Sequence, residues 1–230
     1  MIGIIGAISS EVDGLKNVIE GAEVFTIAGM DFVKGKMYGK DVVAVKSGMG
    51  KVNSAMCTQI LILNFNVDTI IDTGVAGAID SSLEVLDIVI AKDCIEHDFD
   101  ATALGYERAH IPMAKTSVYN ADEELANKAY ELAVTTLPKV KTIRGRVLTG
   151  DQFISTAEKK DDLVNAYEGE CADMKGAAMA HVAYANDIKF VIIRTISDEA
   201  DKGANVDYTA FEKLAAKNSI ALLKELLKTL

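Results

Sequence analysis

Arginine is scarce in this sequence, and its distribution excludes one kind of site. Only Arg108, Arg144, Arg146 and Arg194 occur among 24 basic residues. None precedes position 108, so the N-terminal glycine-rich turns lack the guanidinium fork that grips phosphate oxygens in pairs. Cysteine is nearly as sparse. Cys57, Cys94 and Cys171 are scattered, odd in number and without C-x-x-C spacing, so they read as reduced core residues of a cytoplasmic protein. There are two prolines, no Ser/Gly-rich linker, no internal repeat and no low-complexity tract, so residues 1–230 read as a single domain. No apolar run approaches membrane-spanning length, and the apolar start M-I-G-I-I-G-A is too short for a signal peptide. The expectation is a soluble protein with no membrane partner. Positive charge is also in deficit: the formal net charge is −10. A surface of that sign repels phosphate backbones, which speaks against a nucleic-acid partner.

What is present is an α/β pattern. Half of the residues are hydrophobic, and short apolar runs at 2–5, 23–27, 31–38, 41–46, 69–73, 86–95, 141–148 and 190–196 read as strands. Helical spacing continues from Val12 through Leu15 to Val18, and recurs from 51 to about 64, at 122–137, at 158–166 and at 208–228. These elements predict a central mixed, twisted sheet flanked by helices. The most telling stretch is 171–198. Gly176, Ala177, Ala178, Ala180, Ala183 and Ala185 make a helix thin enough to lie close on a sheet. The run 190–196 then has the β-branched character of a strand covered on both faces, with Arg194 inside it. Ser197-Asp198 falls where that strand ends, and in open α/β sheets chemistry gathers at the carboxyl ends of strands.

Other strand ends carry their own signals. S-G-M-G-K-V-N at 47–53 is a glycine-rich turn opening a helix, without the spacing or the Ser/Thr of a P-loop. T-G-V-A-G at 73–77 follows a strand, and Gly74 and Gly77 admit unusual backbone angles or a close ligand. Glu11 stands at the start of the first helix, beside the end of the first strand. As a capping acid it contributes about 0.3–1 kcal/mol, and on position alone that reading is favoured over a catalytic one. The segment 96–107 holds His97, Asp98 and Asp100, but not at the spacing of a zinc site, and reads as a solvated loop. Apolar residues around Pro112 point to a subunit contact.

Taken together, I-G-I-I-G-A with Glu11, S-G-M-G-K-V, D-T-G-V-A-G, H-D-F-D-A-T-A-L-G-Y-E (97–107), T-G-D-Q-F-I (149–154), D-M-K-G-A-A-M-A-H-V (173–182) and R-T-I-S-D (194–198) resemble, in this order, the bacterial 5′-methylthioadenosine/S-adenosylhomocysteine nucleosidases. These lie within the purine nucleoside phosphorylase-like superfamily. The resemblance implies that fold and hydrolysis of an N-ribosidic bond without cofactor or metal. It implies that Asp198, held by Ser197, protonates the purine and that Glu11 activates water, two carboxyl groups on opposite sides of the reacting carbon. It further implies a purine stacked on Phe153, an adenine edge read by the Ile154 main chain, and a ribose over Met174 near Tyr208. Val75, Ala76, Gly77, Asp173 and Arg194 fall in the motifs that bind substrate. Ile8 and Met49 match positions lining an apolar 5′-alkylthio pocket, as do Ala101, Leu104 and Pro112, some of which the family draws from the second subunit of a homodimer.

Two departures stand out. Val75 replaces a Ser common in relatives. Lys175 stands where the family has the Glu that accepts hydrogen bonds from the ribose hydroxyls. Lysine only donates, and it brings positive charge toward a sugar that becomes positive, which implies reduced turnover. Three readings therefore compete with full nucleosidase activity: a phosphorolytic enzyme, a futalosine-type or other nucleoside hydrolase, and a nucleoside-binding protein without turnover. The first is disfavoured by the missing arginines and by Glu11.

Overall fold

A computed structural model describes residues 1–6, 18–201 and 204–230. The strands, in chain order, are β1 (Ile2–Gly6), β2 (Glu20–Ile27), β3 (Met30–Met37), β4 (Lys40–Lys46), β5 (Thr69–Ala78), β6 (Ile88–Glu96), β7 (Tyr119–Asn120), β8 (Thr142–Thr149), β9 (Cys171–Asp173) and β10 (Lys189–Asp198). The described helices are α1 (Lys51–Phe65), α2 (Glu123–Thr136), α3 (Ala157–Tyr167), α4 (Gly176–Ala185) and α5 (Ala204–Thr229). The sheet is mixed, with order β10-β6-β8-β9-β5-β1-β4-β3-β2. Because β10 also pairs with β5, five strands close on themselves, while β1, β4, β3 and β2 extend as an open wing. This is the expected mixed α/β architecture, with a closure that local patterns do not announce.

The closure decides where strands stop. The apolar pattern of β5 fades at Thr73, yet the strand runs to Ala78. Parallel pairing with β10 carries it on through Thr195↔Val75 and Ile196↔Ala76, with a shift that sets Asp198 against Gly77. Gly74 and Gly77 are therefore in-strand residues and not a turn, and neither has a positive φ. In the other glycine turn the conformational argument holds, with φ of +81° at Gly48 and +95° at Gly50. The predicted thin helix is α4, whose Gly176, Ala177, Ala178, Ala180 and Ala183 are buried. A Cβ at Gly176 would stand 2.7 Å from an Asp173 carboxylate oxygen, so only glycine lets the helix begin this close to the sheet.

Candidate active site

The ends of β5, β8, β9 and β10, the start of α4, the 47–50 turn and the first turns of α5 surround a cavity of about 380 Å³. Its lining includes Met49, Val75, Ala76, Gly77, Phe153, Ile154, Asp173, Met174, Lys175, Ser197, Asp198 and Tyr208, residues that sequence alone singled out from six separate segments. Gln152 and Ala172 also line it. Each is the neighbour of a recognised motif residue, and adjacency was the only available signal for them.

Asp198 sits at the wall where β10 ends, buried with its neighbour Ser197. The Ser197 hydroxyl donates to Asp198 Oδ2 at 2.8 Å, and the Ala200 N–H donates to Oδ1 at 3.0 Å. The strand irregularity between Ile196 and Asp198 turns the carboxyl toward β5. There Gly77 has room for no side chain, since a Cβ would meet Asp198 Oδ1 at 2.7 Å.

Beneath the cavity lies a compact group of four charges. Arg194, wholly buried, donates from Nε to Asp173 Oδ2 at 2.7 Å and from Nη2 to Asp72. Burial works against the guanidinium charge, but the two carboxylates outweigh it and hold its pKa above the ordinary value. The Asp173 carboxyl is likewise penalised by burial, yet Arg194 and the Thr149 hydroxyl hold its pKa below the ordinary value. Asp173 also accepts the Gly176 N–H at 3.0 Å, anchoring the start of α4. Lys175 completes the group. Its ammonium does not run to solvent. It is paired with Asp72 and donates to the Thr73 carbonyl at 2.9 Å, while its own carbonyl accepts the Ser54 hydroxyl at 2.9 Å. The Lys175 charge is thus neutralised by Asp72 beneath the cavity. Arg194 is absent from the lining and acts on the cavity through Asp173.

At the opposite wall, Phe153 is 45 % exposed and meets the Tyr208 ring edge-on at 5.9 Å, with Ile154 buried behind it. A polar cycle holds this wall to the 47–50 turn. The Lys51 N–H donates to Asp151 Oδ1 at 2.8 Å, the Asp151 N–H to Asp98 Oδ2 at 2.9 Å, and Lys51 Nζ to Asp98 Oδ1 at 2.7 Å. The first N–H of α1, a natural anion contact, is therefore taken by the chain's own carboxylate. The segment expected to be a solvated loop begins buried: His97 is 4 % exposed, and burial lowers its pKa.

Ile8 and Glu11 lie outside the described residues. Ala101, Leu104 and Pro112 are not among the residues lining this chain's cavity. Ala101 is buried, while Leu104 is 76 % and neighbouring Met113 100 % exposed. Among the described residues no group of three or more His, Cys, Asp or Glu is placed to hold a metal ion, and no helix is long and apolar enough to cross a membrane.

Residues 1–228 match the family model described as the phosphorylase superfamily, and the chain belongs to that superfamily. Its full-length relatives narrow the placement to the 5′-methylthioadenosine/S-adenosylhomocysteine nucleosidases. The protein of that name from Staphylococcus saprophyticus is 40 % identical, with 100 % of both chains covered. The crystal structure of the Neisseria meningitidis nucleosidase in complex with methylthio-immucillin-A superposes with a TM-score of 0.95 at 31 % identity, covering 100 % of this chain and 99 % of that one. The futalosine hydrolase of Helicobacter pylori superposes with a TM-score of 0.94 at 30 % identity, covering 100 % and 97 %.

Proposed function

We propose that this chain is a single-domain nucleosidase, residues 1–230, that hydrolyses the N-ribosidic bond of 5′-methylthioadenosine and S-adenosylhomocysteine and releases adenine. The observation that carries the reading is the buried Asp198, braced by Ser197 on the wall of a cavity large enough for a nucleoside. Asp198 donates a proton to the purine as the bond to the sugar breaks, and Glu11 orients and deprotonates the water that attacks the resulting cation-like sugar. Phe153 stacks on the purine, the Ile154 main chain reads its edge, and Tyr208 and Met174 flank the sugar. Val75, Ala76, Gly77 and Asp173 shape the remaining wall. Ile8 and Met49 take the 5′-alkylthio group, joined by Ala101, Leu104 and Pro112 of a second subunit in a cytoplasmic homodimer. Lys175 has no acceptor for sugar hydroxyls, so turnover falls roughly 10²–10³-fold below that of a site with a carboxylate there.

Hydrolysis is favoured over phosphorolysis because Asp151 already occupies the Lys51 N–H and Asp98 stands beside it, a poor setting for phosphate. The likeness to futalosine hydrolase supports a second nucleoside as substrate. Release of the free purine base, adenine from 5′-methylthioadenosine and S-adenosylhomocysteine and hypoxanthine from futalosine, measured with and without phosphate, separates these readings. The expected result is phosphate-independent release from the thioadenosines, reduced by about 10²-fold or more in Asp198→Asn and Glu11→Gln. Binding of a thioadenosine with no adenine released by the unaltered chain would leave a nucleoside-binding protein instead.

A further inference from the structure

Two cations and two carboxylates sit under the cavity floor: Lys175 and Arg194, Asp72 and Asp173. They are not equivalent. Arg194 bridges both carboxylates, so its charge is held at two points within the sheet. Lys175 is the cation that lines the cavity, and Asp72 is its partner. Asp72 is completely buried on β5, three residues before the strand enters the cavity wall at Val75. The Thr73 carbonyl takes a second Lys175 proton. The ammonium is thus drawn toward the sheet by a carboxylate that never reaches the cavity itself.

We propose that Asp72 is a positioning residue: it tethers and neutralises Lys175, and so sets the electrostatic potential of the cavity floor at a level that admits a positively charged sugar. The inference rests on the nucleosidase reading. Without Asp72 the group under the floor carries one uncompensated positive charge. Without Lys175 it carries one negative. The ground-state nucleoside is neutral and responds weakly to either change, whereas a sugar developing positive charge responds strongly, because a fixed charge acts on charge over several ångströms in a low-dielectric interior. Asp72 therefore acts on the transition state through another residue. A Glu introduced alone at position 175 would bring its carboxylate against Asp72, so Lys175→Glu is not a clean restoration unless Asp72 is also neutralised.

The test is a charge cycle read by two ligands. Unaltered chain, Asp72→Asn, Lys175→Met and the double variant are titrated calorimetrically at neutral pH. One ligand is adenine; the other is methylthio-immucillin-A, whose sugar-ring amine can take up a proton and so present a positive charge at the sugar position. The readout is the ratio of the two affinities. Preference for the cationic ligand is expected to fall about tenfold in Asp72→Asn, to rise in Lys175→Met, and to return close to the starting value in the double variant. Lys175→Met leaves both Arg194 ion pairs in place and is expected to fold. Its direction of change therefore decides the matter even if Asp72→Asn does not fold. A purely structural role would weaken the sugar-bearing ligand in every variant, Lys175→Met included, so that the ratio falls there instead of rising, and that result overturns the proposal while the nucleosidase reading stands. Failure of the unaltered chain to bind either ligand overturns both.

Discussion

At the scale of single residues, the site depends as much on what is missing as on what is present. Gly77 has no side chain where Asp198 needs room, and a methyl there would stand 2.7 Å from Asp198 Oδ1 and 3.1 Å from the Ala200 Cβ. Gly77 sits in ordinary extended backbone, so Gly77→Ala adds no φ strain and its cost is steric. The carboxyl must move, and a displacement of that order costs roughly 10²-fold in rate. The expected outcome is a large fall in kcat with a small change in Tm; an unaltered kcat would show that the Asp198 position is immaterial. The sequence pattern marked Gly77 for backbone freedom or a close ligand; its φ is not positive, and it lines the cavity. The pattern marked Lys175 too, but not Asp72. That pairing joins residues 103 apart across a strand and a helix start, and no local spacing records it. Asp98, Lys51 and Asp151 were likewise visible only as members of three separate motifs.

At the scale of elements, the Lys51–Asp98–Asp151 cycle fastens α1 to the segments following β6 and β8, and with them the Met49 and Phe153 walls of the cavity. Burial opposes the charge of Asp98, but hydrogen bonds from Lys51 and the Asp151 N–H hold its pKa below the ordinary carboxylate value. Glu96, penalised by burial and held by His181 and Lys51, is lowered as well. A carboxyl with a lower pKa folded than unfolded binds fewer protons in the native state. Its contribution is therefore full above the unfolded value, about 4, and is lost as pH falls through the folded one. Lys51 has the opposite sense: burial disfavours its charge, the two carboxylates outweigh burial, and its raised pKa confines its loss to strongly alkaline solution. Asp98→Asn should flatten the acid limb of the Tm–pH profile. Asp98→Ala should cost about 1–3 kcal/mol at neutral pH, since it leaves the Lys51 ammonium and the Asp151 N–H short of an acceptor. Chemical denaturation across pH 3–7 checks both; parallel profiles for the unaltered and Asn chains would refute the assignment. The buried state of this segment was not legible in its polar composition. The Thr149 carbonyl takes the His97 N–H at 2.9 Å and the Tyr167 hydroxyl donates to the His97 carbonyl at 3.0 Å, partners that only the assembled sheet supplies.

At the scale of the whole molecule, strand periodicity and small-residue helices made the α/β class legible. The closure of five strands was not, because pairing β10 to β5 as well as to β6 is a property of the sheet and not of any strand. Met49, on the cavity wall, is 59 % exposed, Leu104 is 76 % exposed and Met113 wholly so, although an apolar 5′-alkylthio group calls for an enclosed apolar pocket. A second copy of the chain, bringing its Ala101, Leu104 and Pro112, would supply that enclosure. Light scattering should then give twice the 24.6 kDa of one chain. Leu104→Glu with Met113→Glu should produce a monomer, because two charges would be forced into an apolar contact. In that monomer the KM for 5′-methylthioadenosine should rise about tenfold or more while adenine, which has no 5′ group, binds as before. The two readouts must move together: a monomeric variant with an unchanged KM would show that each chain encloses its substrate alone.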